Sequence, residues 1–417
     1  MSAGSAVSPL QSIRVLDLTE GDGAPYCAMM LGDAGADVIK IEPAPAGDWA
    51  RHLGPPFDEH GDGPLFIGMN RNKRSVVIDL GTPSGSKIVA ELAERADVVI
   101  ESFSSLDRAA ESGLSYDALR MKNPGLVYCD LSVYDRRGPM ANDFGSELTV
   151  QAKSGLMRFA GERGCEPVRF GTNYAGTVAS FYAMQAIVAV LYARERTGEG
   201  QYISTSSLRG SLATQQNYLT AFSDPDDPTP TGFLGDHLGP PYHGYETADG
   251  RIEMMFIYAR DDDVLRKLGA ALDIPALLDM QYDPYNVGRG PEWPQILADV
   301  ERAFRRHTTA ELIELLDGLG LMCAPVHDYR SLSNDPVAVQ QELIGTLRGG
   351  LRGDLPATSP PWRLSETSHV PRRSAPLLGE HTREVLLELG WPPAKVTKFV
   401  RRGVLVEIDA PHVASGT

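Results

Sequence analysis

The chain has 417 residues, too many for one compact core and enough for two domains. Apolar residues make up 42% and charged residues 23%, which is typical of a soluble globular protein. Lysine and arginine number 39 against 55 aspartates and glutamates, so the formal net charge is -16. This acidity argues against nucleic acid as the main partner.

The cysteines and the N-terminus point to an intracellular protein. The four cysteines are widely spaced and no Cys/His pattern predicts a metal site: Cys27, Cys129, Cys165 and Cys323. The first twelve residues lack a basic segment followed by an apolar one, so no signal peptide is predicted. We therefore expect reduced cysteines and a cytoplasmic location, with no metal.

The first 42 residues predict a βαβ unit. Residues 13–18 have the pattern of a buried strand, 20–25 form a glycine-rich turn, 26–34 a helix and 36–42 a second strand. Consecutive strands joined through a helix are parallel, so a parallel α/β sheet is expected. The turn lacks G-x-G-x-x-G spacing, which makes it a weak nicotinamide signal.

Further strands are predicted at residues 76–80 and 126–132. A basic loop, residues 70–75 with the sequence NRNKRS, leads into the first of these strands. Three interpretations of this loop stay open: a solvated turn, a contact to phosphate groups, or a structural anchor beside such a site.

A long apolar segment lies near the middle of the chain. Residues 178–193 contain only two polar side chains, Ser180 and Gln185, and predict a helix buried on all sides. Its length of about 16 residues is short of the ~20 that a membrane span needs. We therefore expect no membrane insertion. The small-residue turn at 174–177 would offer free N–H groups to a ligand.

The second half predicts a change of domain. Residues 223–232 have the composition of a linker, and residues 251–257 that of a strand. Thr308 and Glu311 have the spacing of a capping box before a helix at 309–317.

Several of these segments, in the same order, resemble motifs of the family III CoA-transferases. That family includes formyl-CoA transferase, the carnitine and benzylsuccinate CoA-transferases and the α-methylacyl-CoA racemases. The resemblance covers roughly residues 12–391, and the segments that carry it most clearly are VLDLTEGDGAPYCAMMLGDAGADVIKIEP, NRNKRS, ADVVIESF, RERTGEGQ and APLLGEHT.

The resemblance implies an α/β fold with a large parallel-sheet domain and a smaller inserted domain. The large domain would comprise residues 12–222 and 336–417, and the small domain with its linkers residues 223–335. Members of the family form interlocked dimers, so the same assembly is expected.

The resemblance also implies coenzyme A or an acyl-CoA as substrate, together with a carboxylic acid. The positions that match family segments at the CoA site are Asp22, Gly23, Ala24, Arg71, Lys73, Arg74, Ile78, Ser102, Phe103, Arg108, Ser146 and Glu147. Ser146 stands where the racemases carry a catalytic histidine, and Glu147 keeps the carboxylate usual at its position.

The family nucleophile is missing from its expected position. In the family reaction an aspartate attacks the acyl-CoA thioester, releasing CoA thiolate and leaving a mixed anhydride. The thiolate then attacks the anhydride and forms an aspartyl-CoA thioester, and the acceptor carboxylate attacks this thioester in turn. That aspartate would fall on Gly176, whose neighbours Ala175, Thr177 and Val178 offer no carboxylate either.

Four explanations stay open. In the first, the chain is the subunit without a nucleophile in a heteromeric succinyl-CoA-type transferase, and a related partner subunit carries the aspartate. In the second, the chain is a homodimer with different acyl-CoA chemistry (racemase, hydratase or lyase type) and Glu147 or Asp22 as base. In the third, the nucleophile lies at another position, and in the fourth, the chain binds CoA without catalysis. The sequence leaves open whether the chain is active alone.

Overall fold

The computed structural model describes residues 8–57, 60–158, 166–216, 219, 244–255, 262–280, 292–347, 352–367 and 373–408. The chain divides into two compact units. The first comprises Met1–Ser154, Arg169–Thr214 and Glu342–Thr417, and the second Gly155–Val168 and Gln215–Gln341. The sequence-based borders were 222/223 and 335/336. The loop at 235–243 lies outside the described residues.

The strands of the described residues form three sheets. In chain order they are β1 (Arg14–Leu18), β2 (Asp37–Pro43), β3 (Lys73–Ile78), β4 (Val98–Glu101), β5 (Val127–Ser132), β6 (Tyr202–Ser206), β7 (Tyr245–Glu246), β8 (Arg251–Met254), β9 (Cys323–Pro325), β10 (Ile344–Leu347), β11 (Leu355–Thr358) and β12 (Leu405–Val406). The main sheet has the order β12-β3-β2-β1-β4-β5-β6. Its strands pair in parallel except for β12 against β3. The predicted α/β class with a parallel sheet is confirmed.

Helices flank this sheet, and others belong to the second unit. The helices of the described residues are α1 (Pro25–Asp33), α2 (Pro64–Met69), α3 (Pro83–Ala93), α4 (Leu106–Glu111), α5 (Tyr116–Arg120), α6 (Glu147–Lys153), α7 (Tyr174–Thr197), α8 (Ser207–Ala213), α9 (Asp262–Leu272), α10 (Pro275–Leu278), α11 (Trp293–Phe304), α12 (Thr309–Gly318), α13 (Tyr329–Asn334), α14 (Pro336–Gln340), α15 (Thr382–Glu388) and α16 (Pro393–Arg401).

Alternating side chains of the strands build a core on each face of the main sheet. On one face, Val15 and Val98 pack with apolar residues of α1 and α7. On the other face, Leu16 and Val99 pack with residues of α3, α15 and α16. Burial of both faces explains why these strands are nearly continuous apolar runs.

The prediction that the apolar helix is buried on all sides is wrong. Helix α7 buries a stripe of residues four apart, including Ala175, Ala179 and Ala183, which packs on β5, β6 and α1. Its opposite face leaves Tyr182 and Tyr192 exposed. The small side chains allow a close approach to the sheet, but only one side of a helix can lie on a sheet.

The length argument against a membrane span also fails. Helix α7 has 24 residues, because the predicted turn at 174–177 forms its first helical turn. By length and composition alone it would suffice to cross a membrane. Its stripe of buried alanines instead joins the core of the first unit.

The second unit has its own core. The antiparallel sheet β7-β8-β9 packs with α9, α11 and α12 around buried residues such as Tyr245, Leu268 and Phe304. The predicted capping box is confirmed at α12, where Thr308 and Glu311 each accept a hydrogen bond from the other's backbone N–H group.

A candidate active-site cavity

A cavity of about 680 Å³ opens at the carboxyl ends of β1, β4 and β5. Strand β2 follows β1 on one side of the sheet, whereas β4 lies on the other side of β1. The strand order therefore changes direction between β1 and β4. Ligands of open α/β sheets bind outside the carboxyl ends of the strands at such a point. The whole cavity lies within the first unit.

Most of the predicted site residues line this cavity. They come from the loop after β1, the segment after β4, the start of α6 and the start of α7: Asp22, Gly23, Ala24, Ser102, Phe103, Arg108, Ser146, Glu147 and Gly176. Ser146 is the N-cap of α6, where its hydroxyl accepts a hydrogen bond from the Thr149 N–H group.

The basic residues of the predicted loop at 70–75 do not line the cavity. Strand β3 begins at Lys73, three residues before the predicted strand, so Lys73 and Arg74 belong to the sheet, and Ile78 is buried in its core. Arg71 contacts both carboxylate oxygens of Asp33, Lys73 Nζ lies 2.7 Å from Asp17 Oδ2, and Arg74 pairs with Asp37, Glu384 and Glu388. All three cations are buried, so the solvated-turn interpretation is wrong. Their internal partners favour a structural anchor over a phosphate contact.

Glu147 occupies the N-terminus of α7. Its Oε1 accepts a hydrogen bond from Ala175 N at 2.9 Å, and its Oε2 accepts one from Gly176 N at 3.0 Å. The Gln151 side-chain amide donates to Oε1 at 2.7 Å. The N–H groups that were expected to be free for a ligand are therefore already bonded to Glu147. A carboxylate at a helix N-terminus is a favourable cap because it lies at the positive end of the helix dipole.

Gly176 touches the loop after β1 through its backbone. A Cβ atom at residue 176 would lie 2.9 Å from Gly23 Cα, and a Cβ atom at residue 23 would lie 2.7 Å from Gly176 Cα. Neither position accepts a side chain without moving backbone. The Ser180 hydroxyl holds the two segments together by donating to Gly23 O at 2.9 Å. An aspartate at 176 does not fit this arrangement.

Asp22 is the second carboxylate at this end of the cavity. Burial raises the pKa of its carboxyl group, and the charge of Glu147 adds to the increase. A carboxyl group with a raised pKa takes up a proton more readily than an ordinary aspartate, which suits it to proton transfer. Within the described residues, no group of three or more His, Cys, Asp and Glu side chains is arranged to hold a metal ion.

The sequence did not predict a buried acidic pair beside the cavity. Glu101 on β4 and Asp130 on β5 are register partners on neighbouring strands. Arg136, which lines the cavity, donates to Asp130 Oδ2 at 2.8 Å and to Phe103 O at 2.6 Å. The sequence showed it only as half of an Arg136-Arg137 doublet. An acidic residue near the end of each of two adjacent parallel strands was the signal that could have found the pair.

A family model described as CoA-transferase family III matches residues 10–382. The chain belongs to CoA-transferase family III. The resemblance found in the sequence motifs is thereby confirmed.

Curated relatives match over nearly the whole chain. A succinate–glutarate CoA-transferase of Agrobacterium fabrum is 33% identical over 390 residues, which cover 91% of this chain and 96% of the relative. The succinyl-CoA:glutarate CoA-transferase of Mus musculus is 30% identical over 406 residues, which cover 96% of this chain and 91% of the relative. The BbsE subunit of the succinyl-CoA:(R)-benzylsuccinate CoA-transferase of Thauera aromatica is 30% identical over 405 residues. The match covers 94% of this chain and 97% of that subunit.

Solved structures agree with the fold. A CAIB/BAIF family protein from Brucella suis superposes with a TM-score of 0.79 at 27% identity. The match covers 92% of this chain and 99% of that structure.

Proposed function

We propose that this chain is the subunit without a nucleophile in a heteromeric CoA-transferase that moves CoA from succinyl-CoA to a second carboxylic acid. The observation that carries the proposal is the contact between Gly176 and Gly23. The family position of the nucleophile has no side chain, and backbone fills the space that a side chain would take. A related chain with an aspartate at the equivalent position would supply the covalent step.

The position of Glu147 supports this assignment. Its two carboxylate oxygens accept three hydrogen bonds from Ala175, Gly176 and Gln151. These bonds hold the carboxylate as a cap and reduce its power as a nucleophile toward a thioester. The remaining cavity still offers the loop at 22–24, Ser102, Phe103 and Arg108 for binding of CoA.

The relatives support the choice of substrates and of a complex. Three of them bear names of CoA-transferases that use succinyl-CoA or succinate, and one of these is named as a subunit. By analogy, a dicarboxylic acid is the proposed acceptor. Nucleic acid and membrane are not proposed as partners, and a cytoplasmic location stays a prediction.

Helix α7 offers a surface for the partner chain. Its outer face exposes Tyr182, Val188 and Tyr192, the last with 67% of its surface accessible. An apolar helix face of this kind is the usual mark of a protein interface. We propose that a related subunit covers it in an interlocked dimer.

A second candidate is a homodimeric acyl-CoA enzyme of the racemase, hydratase or lyase type. The observation that favours it is the pair of carboxylates Asp22 and Glu147 in the cavity. Burial, with the charge of Glu147, raises the pKa of Asp22, which suits it to act as a base or acid. This enzyme would not need a nucleophile at residue 176.

The first experiment is native mass spectrometry of the complex from the source cell, combined with a CoA-transfer assay. We expect a 1:1 complex with an aspartate-bearing relative, transfer by the complex, and none by this chain alone. Replacing that aspartate of the partner by alanine should abolish transfer. A homodimer that transfers CoA contradicts the proposal. A homodimer that converts an acyl-CoA without transfer supports the second candidate.

A further inference from the structure

Arg136 is held almost entirely inside the protein at the cavity wall. Only 6% of its side chain is exposed. Its Nε donates to Asp130 Oδ2 and its Nη2 to Phe103 O, and Nη2 also lies 3.6 Å from Glu101 Oε2. Its Nη1 has no partner within the described part of the chain. Guanidinium groups fixed in this way bind oxyanions through the N–H groups that remain.

The acidic pair behind Arg136 has two oxygens without a partner. Glu101 Oε1 and Asp130 Oδ1 are buried and accept no hydrogen bond from any described residue. Because the residues are register partners on adjacent strands, their carboxyl groups interact electrostatically and titrate as a pair. Burial, followed by the charge of Asp130, raises the pKa of Glu101 to about 8, although Arg136 opposes the shift.

Two tyrosine hydroxyl groups lie beside the pair and stay protonated near neutral pH. The Tyr202 hydroxyl donates to Asp130 Oδ2 at 2.8 Å, and Tyr128 lies on the same side of the sheet. Burial raises the pKa of both phenols above the ordinary value. With one of the two carboxyl groups protonated, the remaining carboxylate and Arg136 have a net charge of zero. Ionisation of Glu101 gives the cluster a net negative charge.

We propose that Arg136, positioned by Asp130 and Glu101, is an anion-binding subsite of the cavity that takes a phosphate or carboxylate group of the acyl-CoA substrate. The inference rests on the proposed function, because the cavity must bind an acyl-CoA. Asp130 and Glu101 are positioning residues that act through Arg136.

The subsite has a defined pH dependence. A neutral cluster accepts an anion more readily than a negative one, so affinity is highest below the pKa of Glu101. It falls as the pH rises through about 8, where Glu101 ionises. Binding of the anion near this pH should take up protons from the buffer.

The test is isothermal titration calorimetry of the full chain with acetyl-CoA at pH 6.5, 7.5 and 8.5. The Arg136→Gln variant is compared with Arg137→Gln, because Arg137 is the neighbouring exposed arginine and does not line the cavity. We expect acetyl-CoA to bind Arg136→Gln about tenfold or more weakly, and Arg137→Gln within about twofold of the unmodified chain. Equal affinities of the two variants both for acetyl-CoA and for succinyl-CoA, which carries a free acyl carboxylate, overturn the proposal.

Two further variants guard against a folding defect. Arg136→Gln leaves Asp130 buried without its cation, so the double variant Arg136→Gln/Asp130→Asn removes both charges and should lose the same affinity. Glu101→Gln keeps a neutral group beside Asp130 at every pH. Measured against its own affinity at pH 6.5, it should lose the decline of affinity between pH 7.5 and 8.5. A full decline in this variant contradicts the role of Glu101.

Other thioesters distinguish the source of the anion. If Arg136→Gln weakens succinyl-CoA more than acetyl-CoA, Arg136 binds the acyl carboxylate. If the loss disappears with acetyl-3′-dephospho-CoA, it binds the 3′-phosphate, and an equal loss for all three probes identifies the diphosphate. An unmodified chain that binds none of these probes overturns the proposed function itself, rather than the subsite alone.

Discussion

Two groups of basic side chains in the first unit differ in their capacity to bind a substrate anion. Arg71, Lys73 and Arg74 come from a segment rich in positive charge, and each is buried against carboxylates of other elements. Arg108 and Arg136 line the cavity at the carboxyl ends of the strands. The group that looks more basic in the sequence is the one with less capacity to bind a substrate anion.

The difference lies in the N–H groups that each cation keeps after it has bonded its protein partners. Lys73 Nζ is surrounded by Asp17, Pro25 O and Asn70, all at 2.7–2.8 Å, so each of its three hydrogens has an acceptor. Arg136 lies beside two carboxylates, Asp130 and Glu101, and also lines the cavity. Its Nη1 group has no protein partner in the described part of the chain. A cluster of positive charge in a sequence is therefore weak evidence for a phosphate site.

The largest effect is expected for Lys73→Met. Removing the ammonium group leaves Asp17 buried without its cation, and breaking such a pair costs about 3–5 kcal/mol of unfolding free energy. Urea denaturation followed by circular dichroism measures this loss. The control is Lys122→Met, whose exposed pair with Glu94 should contribute less than about 1 kcal/mol.

The structural role of Lys73 is contradicted if Lys73→Met unfolds at the same urea concentration as Lys122→Met but no longer binds acetyl-CoA. That result would place Lys73 in the binding site and remove it from the structural group.

A smaller effect is expected at the cavity end from Gly176→Ala. The added Cβ would lie 2.9 Å from Gly23 Cα, so backbone must move, and overpacking of this kind costs about 1–3 kcal/mol. Gly171→Ala is the matched control, because a Cβ there meets nothing within 4 Å. Equal urea midpoints for the two variants would show that the loop after β1 yields freely, and that an aspartate at 176 could be accommodated.

The smallest effect concerns substrate binding by the two groups of cations. Arg108→Gln should weaken acetyl-CoA about twofold to fivefold, since an exposed charge pair contributes less than about 1 kcal/mol. Arg74→Gln, which loses contacts to Asp37, Glu384 and Glu388, should not change the affinity of the folded protein. Calorimetric titration of both variants provides the measurement. A greater loss of acetyl-CoA affinity in Arg74→Gln than in Arg108→Gln would contradict the assignment of Arg74 to the structural group.

Local and motif-level features were predictable. The first βαβ unit is seen in β1, α1 and β2, because short apolar runs and a glycine turn are properties of short segments. The Thr308 capping box needs only two side chains three residues apart. The absence of a carboxylate at Gly176 followed from motif spacing alone.

The membership in CoA-transferase family III and the parallel α/β class were thus determined by the sequence itself. Only the tertiary structure decided which side of α7 is buried, which cations meet carboxylates, that Gly23 and Gly176 touch, and that Glu101 lies beside Asp130. Each of these depends on residues far apart in the chain. Distances between such residues are set by strand order and packing, which no local pattern encodes.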